Sequence, residues 1–487
     1  MSLTDTRKSV VSWALAWSVA WFLALWLLDF PKPMMDDLAY IGAGLNLAAG
    51  GDYSNPFLAG QGFPSHFFFV HTPLASYALA GWLKLFGISG ASVTGFQMVT
   101  FLVVAASTLA ILRRHGAPAW LEWVVPLAVS AGFLRGGLRT EPLATALTMA
   151  GFAWFECGRK ESFAVFGSFL LMFLGVSVSP RMGGISMALA GICGWGLWRS
   201  RAAAEKRWRD LCMTALAALL TGLTFLIMIR FRLREFLITF HFHASGALAR
   251  EGTGLWSRVH FFLESLGVTD WPLLLLVLVL IPFRLRQPPD EMTAATIALC
   301  AALPVTLVLG LLGFGSGWYL FLLLLFAVPG VVRDAARTRS ASLAVALLFV
   351  GFAGNSKPLL NIFGVLTRQI EEGERGERRA ALALQPRAGQ PVLVDVCAAR
   401  YAFDYRIPQG FLSFEFGARF PHYLILDVDF PREDVFVLGP EGVNTLRRRG
   451  LRDETSPLWS PFGAERWAFF RFPRKTYVIP ASSCAVR

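Results

Sequence analysis

Apolar stretches follow one another along most of the chain, separated by short polar turns. They fall at about 11–28, 92–112, 119–134, 138–156, 163–179, 182–198, 211–230, 270–283, 292–312, 316–332 and 340–354. Each is long enough, or nearly so, to cross a hydrocarbon core as a helix. The weakest are 119–134 and 270–283, which are short and recruit flanking residues or tilt less. The pattern predicts a polytopic α-helical membrane protein with about 11 transmembrane helices. Residues 72–87 (TPLASYALAGWLKLFG) predict one more apolar helix, bounded by Pro73 and Gly87.

Basic residues orient these spans. With Arg7 and Lys8 in the cytoplasm and 72–87 lying along the outer surface, the later inward ends fall at Arg113-Arg114, Arg159-Lys160, 199–209, Arg284/Arg286 and 333–339. Every basic cluster between spans is then inside, as the positive-inside rule asks. The outward turns carry only isolated basic residues: Lys32, Arg135, Arg139 and Arg181. If 72–87 crossed, the strongest cluster, RSRAAAEKRWR, would land outside. An odd number of crossings places everything after about residue 355 outside. The tail, 366–487, changes character. A charged helical segment at 370–385 precedes strand-like runs at 391–396, 422–428, 434–439, 467–472 and 476–480, with a helix at 443–450. It reads as a small extracytoplasmic α/β domain of modest core. The expected organisation is a transmembrane module at 1–365, with a first external loop at 31–90 and a second at 231–269, followed by that domain.

Composition agrees with the class. Of 487 residues, 55% are hydrophobic and only 16% charged, and the mean hydropathy is +0.52, outside the range of a soluble domain. The net charge of +12 sits mostly in cytoplasmic topology signals, so membrane lipids and lipid phosphates are the expected partners and nucleic acid is not. The Gly-rich run GAGLNLAAGG (42–51) follows no strand and reads as close helix packing and a turn. Cys157, Cys193, Cys212 and Cys300 read as small packing residues of membrane helices. Cys397 and Cys484 share the external tail, where an oxidising compartment permits a disulfide. The first helix reads as a retained signal anchor.

Ionisable groups gather on the outer face. An acidic pair, Asp36-Asp37, follows the first span with Tyr40 close behind, then Asp52-Tyr53, His66 and His71-Thr72-Pro73. The next outward turns add Arg139, Glu141 and Arg181, and the segment after residue 230 adds Arg232, Arg234, His241, His243, Arg250, Arg258 and His260. The spans stay apolar through their centres, unlike a transporter with polar midplane groups, and this suits a reaction at the outer leaflet. His241-x-His243 would share a face in a strand and diverge in a helix. With His66 or Glu141 the pair could hold a divalent metal such as zinc. Phe67-Phe68-Phe69 and Trp13/Trp17/Trp21 read as interfacial or lipid-facing aromatics.

The order Asp36-Asp37-x-x-Tyr40, then His71-Thr72-Pro73-Leu74…Leu85-Phe86-Gly87, then Arg139-Thr140-Glu141-Pro142-Leu143 resembles the GT-C glycosyltransferases. Within them it is similar to the group of protein O-mannosyltransferases and the aminoarabinose transferase of lipid A. The resemblance covers roughly 10–200 and is architectural beyond. Asp-Asp stands where the family has Asp-Glu, His71-Thr72 where Lys-Pro is usual, and Glu141 in place of Asp. Arg181 lies in a Ser-Pro-Arg-Met segment where a Thr-Lys-Gly-Pro-like one is common. The resemblance implies a GT-C fold with juxtamembrane helices after the first span and inverting sugar transfer from a polyprenyl-phosphate donor to a glycan, lipid or protein acceptor hydroxyl. In that chemistry Asp36 is the general base. Asp37 orients it or binds acceptor hydroxyls. Arg139 and Arg181 hold the donor phosphate. Glu141 orients Arg139, contacts sugar or helps bind a divalent ion; Tyr40, His71, His241 and His243 line the substrate site. The motifs leave open whether a divalent metal ion is needed, with His241, His243 and Glu141 as its candidate ligands.

High Arg, Ala and Leu usage with few Lys suggests a bacterial inner membrane, with the site and the C-terminal domain on the periplasmic side and an envelope glycan or lipopolysaccharide acceptor. Two alternatives have other sequence-level signatures: a lipid or glycan transporter (flippase), which would tolerate loss of Asp36, and a noncatalytic assembly subunit, which would tolerate loss of all the outer acidic residues.

Overall fold

A computed structural model describes residues 35–55, 65–114, 139–158, 160–198 and 203–250. It also describes four short strands in the tail and isolated helical positions at Ala16, Val19, Ala20, Leu23 and Trp256. The expected spans at 119–134, 270–283, 292–312, 316–332 and 340–354, and the pairing of Cys397 with Cys484, lie outside the described residues.

The helices, in chain order, are α1 (Met35–Ala48), α2 (Leu74–Phe86), α3 (Gly90–Arg114), α4 (Thr140–Gly158), α5 (Ser162–Val178), α6 (Pro180–Trp198), α7 (Ala204–Met228) and α8 (Leu233–Arg250). Their ends follow from local chemistry. Pro73 precedes α2 and Gly87 ends it at φ 85°, a left-handed stop that favours glycine. The Ser89 hydroxyl accepts the Ser92 amide at 3.1 Å and caps α3. Pro180 opens α6, where its missing N–H costs nothing. Among the described residues, Gly90–Ile111 and Ala204–Met228 are long and apolar enough to cross a bilayer core. Ser162–Val178 and Met182–Trp198 are shorter apolar helices, about 26 Å in length against a core of about 30 Å.

α4 packs against α3 and α5, and α5 in turn meets α6 and α7, while α1 lies on α2. In lipid no hydrophobic force drives helices together, so close approach and polar contacts must do it. A Cβ added at Gly151 would stand 2.6 Å from the Ser168 carbonyl oxygen, so α4 and α5 touch backbone to backbone there. Thr148 and Ser186 hydroxyls meet at 2.7 Å in the buried interior between α4 and α6. Around them Met149, Phe152, Phe169, Met172, Ile185 and Leu189 form the core of the bundle.

Two sets of contacts define opposite ends of this bundle. At one end Asp210, 2% exposed, accepts hydrogen bonds from the Ser162 hydroxyl at 2.6 Å and the Lys206 ammonium at 2.8 Å. Arg209 donates to Ser162 at 2.9 Å, and the Arg207 guanidinium lies 5.8 Å from the Trp198 ring. These residues join the starts of α5 and α7 to the end of α6. At the other end the Thr72 hydroxyl donates to the Val178 carbonyl at 2.6 Å, and the Tyr77 hydroxyl to the Met228 carbonyl at 3.3 Å. Basic residues expected inside therefore share one end, and the 72–87 helix sits at the opposite one.

Three readings are corrected. The segment after residue 230 is not loop throughout: it opens with α8, whose Phe236 and Thr239 are buried. Phe67, Phe68 and Phe69 are not lipid-facing; they are 8%, 4% and 1% exposed and pack with Ala43, Tyr53, Val70, Ile229 and Phe236. Cys193 is buried as a packing residue should be, but Cys157 and Cys212 are exposed. The Gly-rich run behaves as read. Gly44 faces the Ser76 carbonyl, where a Cβ would come within 3.1 Å, and Gly50 turns the chain at φ 91°.

In the tail β1 (Val392–Asp395), β2 (Leu412–Glu415), β3 (Val435–Leu438) and β4 (Tyr477–Pro480) form one sheet in the order β2-β1-β3-β4. β2 and β3 run parallel to β1, with Val392 opposite both Leu412 and Val435, and β4 is antiparallel to β3. β1, β3 and β4 fall on expected runs. β2 was unmarked, and the runs at 422–428 and 467–472 and the helices at 370–385 and 443–450 lie outside the described residues.

The backbone contact at Gly151 makes a clear contrast. Gly151→Val should abolish or sharply reduce the folded, monodisperse yield in detergent. Gly194→Ala, where an added Cβ meets nothing within 4 Å, should leave yield and melting temperature unchanged.

Candidate functional site

Asp36 and Asp37 open α1, one turn before Tyr40. The Tyr40 ring packs on the His71 imidazole, centroid to centroid 4.4 Å. His71 is held in turn from three sides. Its carbonyl accepts the Tyr53 hydroxyl at 3.2 Å, Phe68 meets its ring edge-on at 5.6 Å, and Thr72 next to it is tied to Val178.

Tyr53 is the centre of that support. It is 1% exposed and lies against Phe68, Phe69 and Tyr77, and burial pushes its phenol far above the ordinary range, so it remains a neutral donor. The loop carrying it folds back on α1 through Asn46, whose amide donates to the Asp52 carbonyl at 3.1 Å and the Ser54 hydroxyl at 3.0 Å. A Cβ at Gly51 would come 2.4 Å from that amide's oxygen, so a larger residue there would displace the Asn46 side chain from these bonds.

Arg139 and Thr140 stand at the start of α4 beside Tyr40. Together with Ala75, Gln97 and Pro142 they line a narrow crevice of about 30 Å³ between α1, α2, α3 and α4, room for one or two waters. Glu141, in the first turn of α4, is 2% exposed, where the helix dipole favours a carboxylate. Arg181 lies in the first turn of α6, three residues beyond the Val178 carbonyl that Thr72 grips. The acidic-pair, His-Thr-Pro, Arg-Thr-Glu-Pro and Ser-Pro-Arg segments, distant in sequence, thus meet at one end of the bundle.

His241 and His243 both fall on α8, and His241 is exposed. Among the described residues no three His, Cys, Asp or Glu side chains gather as a metal site. The segment that carries the two histidines is helical, and its apolar residues recur at Leu233, Phe236, Leu237 and Phe240.

No family model and no curated protein matches the chain. Its fold does match solved structures. The crystal structure of ArnT from Cupriavidus metallidurans bound to undecaprenyl phosphate aligns over 96% of this chain and 98% of that one, with a TM-score of 0.53 and 11% identity. The apo state of the same protein gives a TM-score of 0.52 and 13% identity, over 98% and 99%. ArnT is a lipid A aminoarabinose transferase of the GT-C superfamily. This chain has the GT-C fold. The likeness is one of architecture, a helical membrane fold followed along nearly the whole length of both chains.

Within that GT-C fold, one contact escaped sequence reasoning. The His66 Nε2 and the Asp52 carboxylate meet at 2.7 Å across the segment between α1 and α2. Next to it the Ser65 hydroxyl donates to one Glu235 carboxylate oxygen, and Arg232 donates to the other at 3.1 Å. Partial burial alone would raise the Asp52 carboxyl, but hydrogen bonds from Ser54 and His66 and the charges of His66 and Arg230 outweigh it and hold the group below its ordinary value. The Ser65 hydrogen bond, against some desolvation and with help from Arg232, lowers Glu235 likewise. Neither pair lies at motif spacing, so only the fold could place them.

A carboxyl lowered by folding stabilises the fold above its ordinary pKa, about 4, and that contribution is lost as the pH falls through the lowered value. Acidification from pH 7 to pH 3 should therefore loosen the loop between Asp52 and His71. In Asp52→Asn the acid-induced drop in melting temperature should be smaller than in the wild type. An equal drop in both would remove Asp52 from the acid response.

Proposed function

We propose that the chain is an inverting glycosyltransferase that moves a sugar from a polyprenyl-phosphate donor to an acceptor hydroxyl of an envelope glycan, lipid or protein. The observation that carries this reading is the Tyr40–His71 contact beside Arg139, which sets the first-loop motif against the start of α4. The GT-C fold supports it, since a protein of that architecture has been crystallised with undecaprenyl phosphate. The proposed arrangement has about 11 crossings, the site and the 366–487 domain facing the periplasm of a bacterial inner membrane, and that domain shaping the acceptor cleft.

In the proposed step the acceptor oxygen attacks the anomeric carbon from the side opposite the phosphate. The new C–O bond forms as the bond to the phosphate oxygen breaks, which inverts the anomeric centre. The acceptor proton passes to the Asp36 carboxylate, and Asp37 orients Asp36 or holds a neighbouring acceptor hydroxyl. The electron pair of the broken bond leaves with the polyprenyl phosphate, whose added negative charge Arg139 and Arg181 stabilise. Glu141 keeps Arg139 in place or contacts sugar, and Tyr40 and His71 pack against the sugar or the phosphate end of the donor. A divalent ion is part of the proposal, with Glu141, His241 and His243 as its candidate ligands.

Purified protein in detergent, given pooled polyprenyl-phosphate sugars and envelope acceptors, should transfer sugar. Asp36→Asn should lose at least about a hundredfold in rate with fold and lipid binding kept. Arg139→Ala should lose about a hundredfold to a thousandfold. Equal transfer by wild type and Asp36→Asn removes the base; no transfer with any donor overturns the reading.

A further inference from the structure

The turn between α7 and α8 carries an assembly that sugar transfer leaves unused. Arg230 and Phe231 both adopt left-handed backbone, at φ 54° and 57°, a conformation that non-glycine residues keep only where their surroundings enforce it. Here the Phe231 amide donates to the Leu226 carbonyl at 2.8 Å, and the Arg230 and Arg232 guanidiniums lie 5.3 and 4.8 Å from the Phe67 ring. The turn is thus bent and braced at once.

A cavity of about 340 Å³ lies beside it, against the first two turns of α8. Phe231, Leu233 and Ile238 line it with exposed apolar surface. Arg232 and Arg234 supply positive charge at the end of the helix where backbone N–H groups have no carbonyl within the helix. Glu235 also lines it, but its two oxygens are taken by Ser65 and Arg232, which leaves Arg234 without an ionic partner among the described residues. The last wall residue is Thr239. It is wholly buried, and its hydroxyl has no hydrogen-bond partner among the described residues. Thr100, Thr108, Thr145, Thr148, Thr214, Thr221 and Thr224 all return their hydroxyls to the carbonyl four residues back. Thr239 does not, and a buried hydroxyl left unsatisfied at a cavity wall calls for a partner inside it.

We propose that this cavity binds the phosphate headgroup of an anionic membrane phospholipid. Arg234 grips the phosphate, the Thr239 hydroxyl bonds a headgroup oxygen, and Phe231, Leu233 and Ile238 lie along the glycerol and first methylenes. Charge favours an anionic lipid over a zwitterionic one, because three arginines, Arg230, Arg232 and Arg234, stand against two carboxylates, Glu235 and Asp52, that are already engaged by Ser65, Arg232 and His66. The site is separate from the Tyr40–Arg139 crevice and stands whether or not the chain transfers sugar.

The test uses the purified full chain, photoactivatable phosphatidylglycerol, and native mass spectrometry of lipid retention. Wild type should retain phosphatidylglycerol over phosphatidylcholine and take the label between residues 231 and 239. Arg234→Gln should bind phosphatidylglycerol about tenfold more weakly at unchanged melting temperature, with Arg234→Lys in between. Should Arg234→Gln fail to fold, Thr239→Val carries the same question, with about threefold weaker retention expected. Equal retention of the two lipids, label elsewhere, or full retention by these variants would overturn the proposal. Displacement of the lipid by millimolar inorganic phosphate would also overturn it, in favour of a site for the free anion.

Discussion

A bilayer core offers no partner to a backbone amide, so every group inside it must be satisfied by the chain itself. That constraint makes α3 to α7 helices before any side chain is consulted. It also explains their polar residues. Thr100, Thr108, Thr145, Thr221 and Thr224 give their hydroxyls back to their own helices. Where hydroxyls of two helices do meet, as at Thr148 and Ser186, both are buried and paired. Small residues then decide how close helices come, and the Gly151 contact with the Ser168 carbonyl is the tightest kind, backbone against backbone.

The ends of the bundle obey different physics, because water and charge are available there. At one end a buried aspartate gathers Ser162, Lys206 and, through Ser162, Arg209. A buried carboxylate without such partners would cost several kcal/mol. At the other end, neutral anchors hold the site. Thr72 ties the loop to α5, Tyr53 ties His71 to an aromatic core, and Asn46 ties the loop back to α1. Phe67, Phe68 and Phe69 fill the space beneath. Rigid support of this sort is what a site needs if its reacting groups are to be held within a fraction of an ångström.

A division of labour follows within the first external loop. Its charged contacts, Asp52 with His66 and Glu235 with Ser65 and Arg232, lie at the solvent edge and brace the loop against α8. Its aromatic contacts lie inside and brace His71. Loss of an outer contact should loosen the loop, whereas loss of the inner ones should misplace the ring that packs on Tyr40.

Much of this was legible in the chain itself. Apolar run length, punctuated by Pro73, Gly87 and Pro180, placed α2 to α6 to within a few residues and the end of α7 likewise, because burial in lipid leaves hydrophobicity and helix stops as the main local determinants. The start of α7 differs: it begins at Ala204, in the charged stretch before the apolar run. The order of Asp36, His71, Arg139 and Arg181 marked the candidate site for the same reason: charged groups are rare beside membrane helices and stand out. Local pattern could not distinguish a lipid-facing aromatic run from a buried one, and Phe67 to Phe69 were misread on that account. Nor could it show that the segment after residue 230 opens with the helix α8, or that Asp52 would find His66. Sequence by itself determined the helices α2 to α7 and which ionisable residues stand at their ends. Tertiary structure alone decided which of those residues share a wall, because a contact between Tyr40 and His71, or Thr72 and Val178, depends on how helices far apart in the chain pack, and no local periodicity encodes that distance.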